Sequence, residues 1–222
     1  MMVVDNSDYA RNGDAFPNRL AAQLECVSHL ASRITNANQE SSVGLMSSAG
    51  ERCELLSTPT QEPSALLSTY PRITLQGRAD LPRALTVAML AMKHRANKNQ
   101  HERIVLFVAS RVAAPPAKLL ELAAHLRRNH IRLDVVALCC PESEAVLRGL
   151  HETVNAGEEA VFLAHKGPDR LLPALQTALG STPAAASNDM DDDPEYQLAV
   201  QLSLQEAERH AMQQAAVTPE TE

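Results

Sequence analysis

From residue 103 onward the chain runs through one pattern three times, and that repetition restricts the fold more than any other feature. A short, continuously apolar run is followed each time by a longer amphipathic one. The pairs are "RIVLFVAS" then "PAKLLELAAHLRRNH", "IRLDVVALC" then "SEAVLRGLHETVNA", and "EAVFLAH" then "DRLLPALQTAL". A strand without polar alternation is buried on both faces, and helices between such strands are the crossovers that keep them parallel. Basic residues close the segment 116–130, where they favour a helix C-terminus.

The first half fits the same plan with one exception. "MVVD" (2–5) reads as a buried strand ending in an acid. Residues 16–34 place Leu20, Leu24, Val27, Leu30 and Ile34 at helical spacing, with Pro17 suited to the first turn. "SVGLMSS" (42–48) and "ERCELLST" (51–58), divided by "AG", predict an antiparallel hairpin. "PSALLSTY" is a short helix or turn, and 81–97 a helix with Leu81, Leu85, Met89 and Met92 on one side. The predicted order is β–α–β–β–α–α–β–α–β–α–β–α, a doubly wound, mostly parallel α/β sheet with one antiparallel strand. With no Trp, three Tyr and three Phe, its core must be aliphatic.

Charge divides the chain where this pattern stops. Residues 182–222 hold nine acids against the single base Arg209, and residues 1–181 hold 18 acids and 19 bases. The net charge of −7 therefore belongs to the C-terminal segment, which would repel phosphates, so nucleic acid is excluded as a partner. No run is long and apolar enough for a membrane helix, and the start lacks the h-region of a signal peptide. Cys26, Cys53, Cys139 and Cys140 show no metal or disulfide spacing and read as buried reduced thiols, which points to cytoplasm or nucleus. The expected organisation is a domain at 1–181, a flexible acidic linker at 182–192, a helix at 193–210 and a disordered tail at 211–222.

Catalytic chemistry is hard to place. Ligands of open α/β sheets sit beyond the carboxyl ends of the strands, which directs attention to Asp5 in "VVDNSDY". Asp5 and Ser7 resemble the start of the metal-binding loop of von Willebrand factor A domains. However, Tyr9 stands where a second hydroxyl belongs, Asp80 and Arg83 where a threonine is expected, and "SRVAAPP" offers no aspartate. The site reads as degenerate, with Asp5 and Ser7 bracing their loop and no metal or other cofactor bound. No P-loop, dinucleotide fingerprint or nucleophile elbow occurs, and the histidines, His94, His125 and His130 among them, read as solvated surface. The basic run 93–103, with Arg127 and Arg128, is either a solvated helix end or a contact for an acidic protein.

After the linker, Asp193 suits an N-cap, Pro194 a first helical position, and Glu195 the dipole. Tyr196, Ala199, Val200 and Ser203 then form one stripe flanked by Leu198 and Leu202, with Glu206 a turn further on. A helix this short is marginal alone and gains by docking on a partner's apolar patch. Acids, Tyr196, Ala199, Ser203 and Glu206 in that spacing resemble a ubiquitin-interacting motif, with Pro194 interrupting the acidic triplet. "VVDNSDYARNGD", "SSVGLMSSAGERCELLSTPT", "KHRANKN" and "GPDRLLPAL" extend the resemblance over nearly the whole chain, to the ubiquitin-receptor subunits of the 26S proteasome regulatory particle.

That resemblance implies a von Willebrand A-type fold with a flexible linker and a single C-terminal helix. It implies no enzyme, but a receptor whose A domain docks on other subunits of the regulatory particle and bridges its lid and base. The helix would capture polyubiquitin chains through Tyr196, Leu198, Ala199, Val200, Leu202, Ser203 and Glu206. Two other readings stay open: a metal-dependent, adhesion-type A domain, and a scaffold whose last helix packs on its own sheet.

Overall fold

The computed structural model describes residues 1–180 apart from Ala96 and Asn99. Six strands form one sheet in the order β3-β2-β1-β4-β5-β6. They are β1 (Met2–Val4), β2 (Val43–Ser47), β3 (Leu55–Thr60), β4 (Arg103–Val108), β5 (Arg132–Leu138) and β6 (Phe162–His165). Every neighbouring pair is parallel except β2 and β3, which form the expected hairpin.

Six helices cover the sheet: α1 (Arg19–Ala37), α2 (Pro63–Leu67), α3 (Leu81–Lys93), α4 (Pro116–Arg128), α5 (Pro141–Asn155) and α6 (Leu171–Gly180). Alternate strand residues face opposite layers, as pleating requires. Val3, Met46, Ile104, Leu106 and Val135 pack under α3, α4 and α5 through residues such as Leu85, Leu126 and Leu147. Met2, Val4, Leu45, Phe107 and Leu138 pack on the other face with Val27, Leu66 and Leu175 of α1, α2 and α6. Aliphatic side chains fill both layers, so the near absence of aromatics costs the core nothing in contiguity.

Several boundaries move for identifiable reasons. Pro17 lies outside α1: the Asn18 side chain accepts from Ala21 N at 2.8 Å and caps the helix, which starts at Arg19. Helix α3 ends at Lys93 rather than Asn97, because Arg95 turns back to donate to Met92 O and Lys98 O at 3.1 and 2.7 Å. Strand β3 runs through Pro59 instead of stopping before it. It lies at the edge of the sheet, where a residue without an N–H is tolerated.

The topology fixes where a site can form. Chain order runs one way from β1 to β2 and the other way from β1 to β4, so a crevice opens at their carboxyl ends. Asp5, Ser48 and Ser110 follow β1, β2 and β4 into it.

Candidate functional site

At this edge the residues after β1 act as a hub. Asp5 is buried, and its carboxylate accepts three hydrogen bonds from the chain itself. Ser7 N donates to Oδ1 at 2.9 Å, while Ala109 N and Ser110 Oγ donate to Oδ2 at 2.8 and 2.7 Å. Its backbone is held by Gln23 of α1, which accepts from Asp5 N at 2.8 Å and donates to Asp5 O at 3.1 Å. Asn6 joins two further loops: its amide donates to Thr74 O at 2.9 Å and accepts from Ala49 N at 2.9 Å. Gly50, at φ +103°, closes the turn after β2, where a Cβ would lie 2.6 Å from Gln76 Nε2.

Arg19 completes the structure from below. It is 6% exposed, forks onto Asp14 with Nε to Oδ1 at 2.7 Å, and donates to Ala109 O and to Cys139 O, the latter at 3.2 Å. This pairing holds the Asp14 carboxyl below the usual range. One guanidinium thereby ties the start of α1 to the ends of β4 and β5. Neither Asn6 nor Arg19 was singled out by the sequence, since each acts through backbone groups distant in the chain.

A divalent cation does not fit this arrangement. The Asp5 oxygens are engaged by three donors of the chain, and Tyr9 is half-exposed rather than turned inward. Asp80 caps α3, accepting from Arg83 N at 3.1 Å, and pairs with the Arg83 guanidinium at 3.4 Å. Ser7 Oγ is buried without a hydrogen-bond partner, but one hydroxyl falls short of the several oxygens a hard cation needs. Among the described residues no three His, Cys, Asp or Glu side chains cluster in a way that could hold a metal.

The thiols and histidines need revision. All four cysteines are free, yet only Cys26 is buried; Cys53, Cys139 and Cys140 are partly exposed. Burial nevertheless pushes Cys26 up to about 12 and Cys140 to about 11, so neither is poised as a nucleophile. His94, His125 and His130 are exposed, but His165 is buried, its Nε2 3.0 Å from Asp169 O. In the basic run, Arg95 pairs with Glu102 and Arg103 with Asp134, so two of its cations are held internally. No helix among the described residues is long and apolar enough to cross a membrane. Tyr196, Leu198, Ala199, Val200, Leu202, Ser203 and Glu206, with the linker and tail, lie outside the described residues.

A family model, that of the von Willebrand factor type A domain, matches residues 1–111, ending just past β4. The chain is 29% identical over 228 residues to the 26S proteasome regulatory subunit rpn10 of Schizosaccharomyces pombe, covering 100% of this chain and 94% of that one. It is 35% identical to the 26S proteasome non-ATPase regulatory subunit 4 of Dictyostelium discoideum, over 73% of this chain and 47% of the relative. With the corresponding Arabidopsis thaliana homolog it shares 32% identity over 97% of this chain and 62% of the relative. The chain thus spans nearly all of the first relative and about half to three fifths of the other two.

Among solved structures, the SpRpn10 VWA domain matches with a TM-score of 0.77 at 28% identity, covering 84% of this chain and 97% of that one. BatB of Bacteroides thetaiotaomicron shares the fold alone, with a TM-score of 0.55 at 13% identity over 81% of this chain and 98% of that one. With its sheet order, its degenerate loop at Asp5 and these matches, the chain belongs to the von Willebrand factor type A domain family and is similar along its length to 26S proteasome regulatory subunits.

Proposed function

We propose that the chain is a non-enzymatic ubiquitin receptor of the 26S proteasome. Its A domain docks on other subunits of the regulatory particle and bridges lid and base, and residues 193–210 capture polyubiquitinated substrates for degradation, in cytoplasm and nucleus. The observation that carries this reading is the extent of the match to the fission-yeast subunit. It runs past the A domain and through the segment bearing Tyr196, Ala199, Ser203 and Glu206.

In this reading the work is divided by charge and by surface. Small Ala199 lets the ubiquitin backbone approach, Ser203 supplies one hydrogen bond, and Tyr196, Leu198, Val200 and Leu202 supply apolar contact. Glu206 and the acids before Tyr196 face a basic rim. So small an interface holds one ubiquitin weakly, and chains bind better through multivalency, with 182–192 as the linker that gives reach. The A domain supports a docking role, with its strand-end carboxylate engaged by its own loops and no activated thiol among the described cysteines.

A pull-down with tetraubiquitin tests the receptor half. Wild type is expected to retain chains, and Ala199→Asn with Ser203→Ala to lose them by about tenfold or more; equal retention ends this reading. For the docking half, the A domain is expected to assemble into particles lacking the endogenous subunit and to raise the salt needed to part lid from base.

A further inference from the structure

We propose that Asn12–Gly13 is a site of spontaneous deamidation, where the folded chain converts asparagine to aspartate and isoaspartate and thereby loosens the Arg19 tie at the start of α1.

The chemistry needs an asparagine followed by an unhindered backbone nitrogen. Gly13 N gives up its proton to solvent base and attacks Asn12 Cγ. A C–N bond forms, the bond to the side-chain nitrogen breaks, and ammonia leaves with a proton from water. Water then opens the succinimide at either carbonyl, giving a side-chain carboxylate or a main chain rerouted through Cβ. Asn12 is the only asparagine in the sequence that precedes a glycine.

The fold leaves both reacting groups free. Asn12 and Gly13 are exposed, between the turn Asp8–Arg11 and α1. The main chain of Asn12 is held, its N donating to Tyr9 O at 3.2 Å and its O accepting from Arg19 N at 2.9 Å. Its side-chain amide and Gly13 N make no hydrogen bond among the described residues. Other asparagines are occupied. Asn6 bridges Thr74 O and Ala49 N, Asn18 caps α1, Asn129 donates to His125 O, and Asn155 holds both backbone groups of Leu133.

The backbone does not require glycine at this position. Positive φ among the described glycines belongs to Gly50, Gly77 and Gly157, and a Cβ on residue 13 would meet only Pro17 O, at 3.8 Å. What the absent Cβ leaves is an open approach to the nitrogen.

Arg19 both opposes the reaction and bears its consequence. At ψ 141° Gly13 N is turned away from Cγ, so the peptide unit must rotate, and rotation breaks the bond from Arg19 N to Asn12 O. The Arg19 side chain also forks onto Asp14, with Nε to Oδ1 at 2.7 Å, so one residue closes the loop twice. Isoaspartate inserts one more backbone atom inside that loop, just before Asp14. The closing bond and the fork then no longer fit the same loop. Loss of the fork releases the guanidinium that binds Ala109 O and Cys139 O.

The test incubates the full chain at physiological temperature in mildly alkaline buffer. The tryptic peptide 12–19 is followed by mass spectrometry, with Asn18 in the same peptide as internal control. Isoaspartate is counted by methyl transfer from radiolabelled S-adenosylmethionine, using a protein isoaspartate methyltransferase. Wild type should convert Asn12, faster as pH rises, while Asn18 stays intact. Gly13→Ala, for which the fold has room, should slow conversion about tenfold, equal to about 1.4 kcal/mol at the barrier. Aged wild type should melt lower by about 2–4 °C or more, the shift that a modest loss produces in a domain of this size. Aged Gly13→Ala should melt as the fresh variant does, and Asn12→Asp, which lacks the extra backbone atom, as fresh wild type. If Asn12 persists in the folded chain while the urea-unfolded chain converts, or if Gly13→Ala converts at the wild-type rate, the site is overturned. Conversion without a fall in melting temperature, or a full fall from Asn12→Asp alone, overturns the link to Arg19.

Discussion

Two carboxylates are buried at the sheet, Asp5 at 1% exposure and Asp134 at 2%, and the molecule satisfies them by different means at opposite ends of its strands. At the carboxyl end, Asp5 meets neutral donors only: two backbone N–H groups and the Ser110 hydroxyl, from its own loop and from the one after β4. Toward the amino end, Asp134 meets the Arg103 guanidinium and accepts from Val161 N at 2.8 Å. Dipoles fixed in the backbone cannot rearrange, so the Asp5 site freezes the loops that carry it. The Arg103 side chain is 39% exposed and can return to water, so the second arrangement is a clamp between strands that tolerates change. Opposite solutions thus leave the carboxyl edge rigid and the amino edge adaptable.

This contrast can be broken by mutation. Asp5→Ala should cost the most, about 4 kcal/mol in urea unfolding at neutral pH, because it strands three donors at once. A cost below that of Asp134→Asn would end the comparison. Arg103→Ala should come next, at about 3 kcal/mol, since it leaves the Asp134 charge buried with one donor. Asp134→Asn should cost only about 1 kcal/mol, because Arg103 rehydrates and an amide oxygen still accepts from Val161. Equal effects for these last two would show that Arg103 is no freer than the Asp5 donors.

The smallest effect concerns His151, whose ring is steeply inclined to that of Phe162 with centroids 5.6 Å apart, and whose Nε2 is buried without a hydrogen-bond partner. Burial lowers its pKa below the ordinary 6.5, against the opposing pull of Asp134. The native state therefore binds fewer protons than the unfolded one, and stability is lost as pH falls through the unfolded value. His151→Gln should flatten the dependence of unfolding midpoint on pH between about 7 and 5.

How much of this was legible from the residues depends on how local the cause is. Strand and helix succession followed from periodicity, because burial on one or two faces writes itself into adjacent residues. Where a boundary depended on a tertiary partner it shifted, as at Pro59, tolerated only because β3 became an edge, and at Arg95, which ends α3 by folding back. Asp5 stood out by its place at a strand end. Its partners Ala109 and Ser110 lie about a hundred residues away, and nothing near Arg19 announces that it will bind Ala109 O and Cys139 O. The run of cations at 93–103 drew attention, yet two of them turned out to be internally paired. The cations that line the crevice, Arg78, Arg83, Arg111 and Lys118, come from two loops and the first turns of α3 and α4, and form no run at all.

Strand β1 has only three residues, yet it joins the two halves of the sheet, pairing Met2 with Leu45 on one side and with Val105 on the other. The second partner is made about a hundred residues later, which at ~5–20 residues per second means roughly 5–20 s of synthesis. During that time β1 presents a bare edge, and Asp5 has the local Ser7 N–H but not yet the Ala109 and Ser110 donors. A nascent chain paused before β4 should therefore be sensitive to protease and dependent on chaperones. Emergence of β4 supplies the missing edge partner of β1 and, directly after it, the Ala109 and Ser110 donors to Asp5.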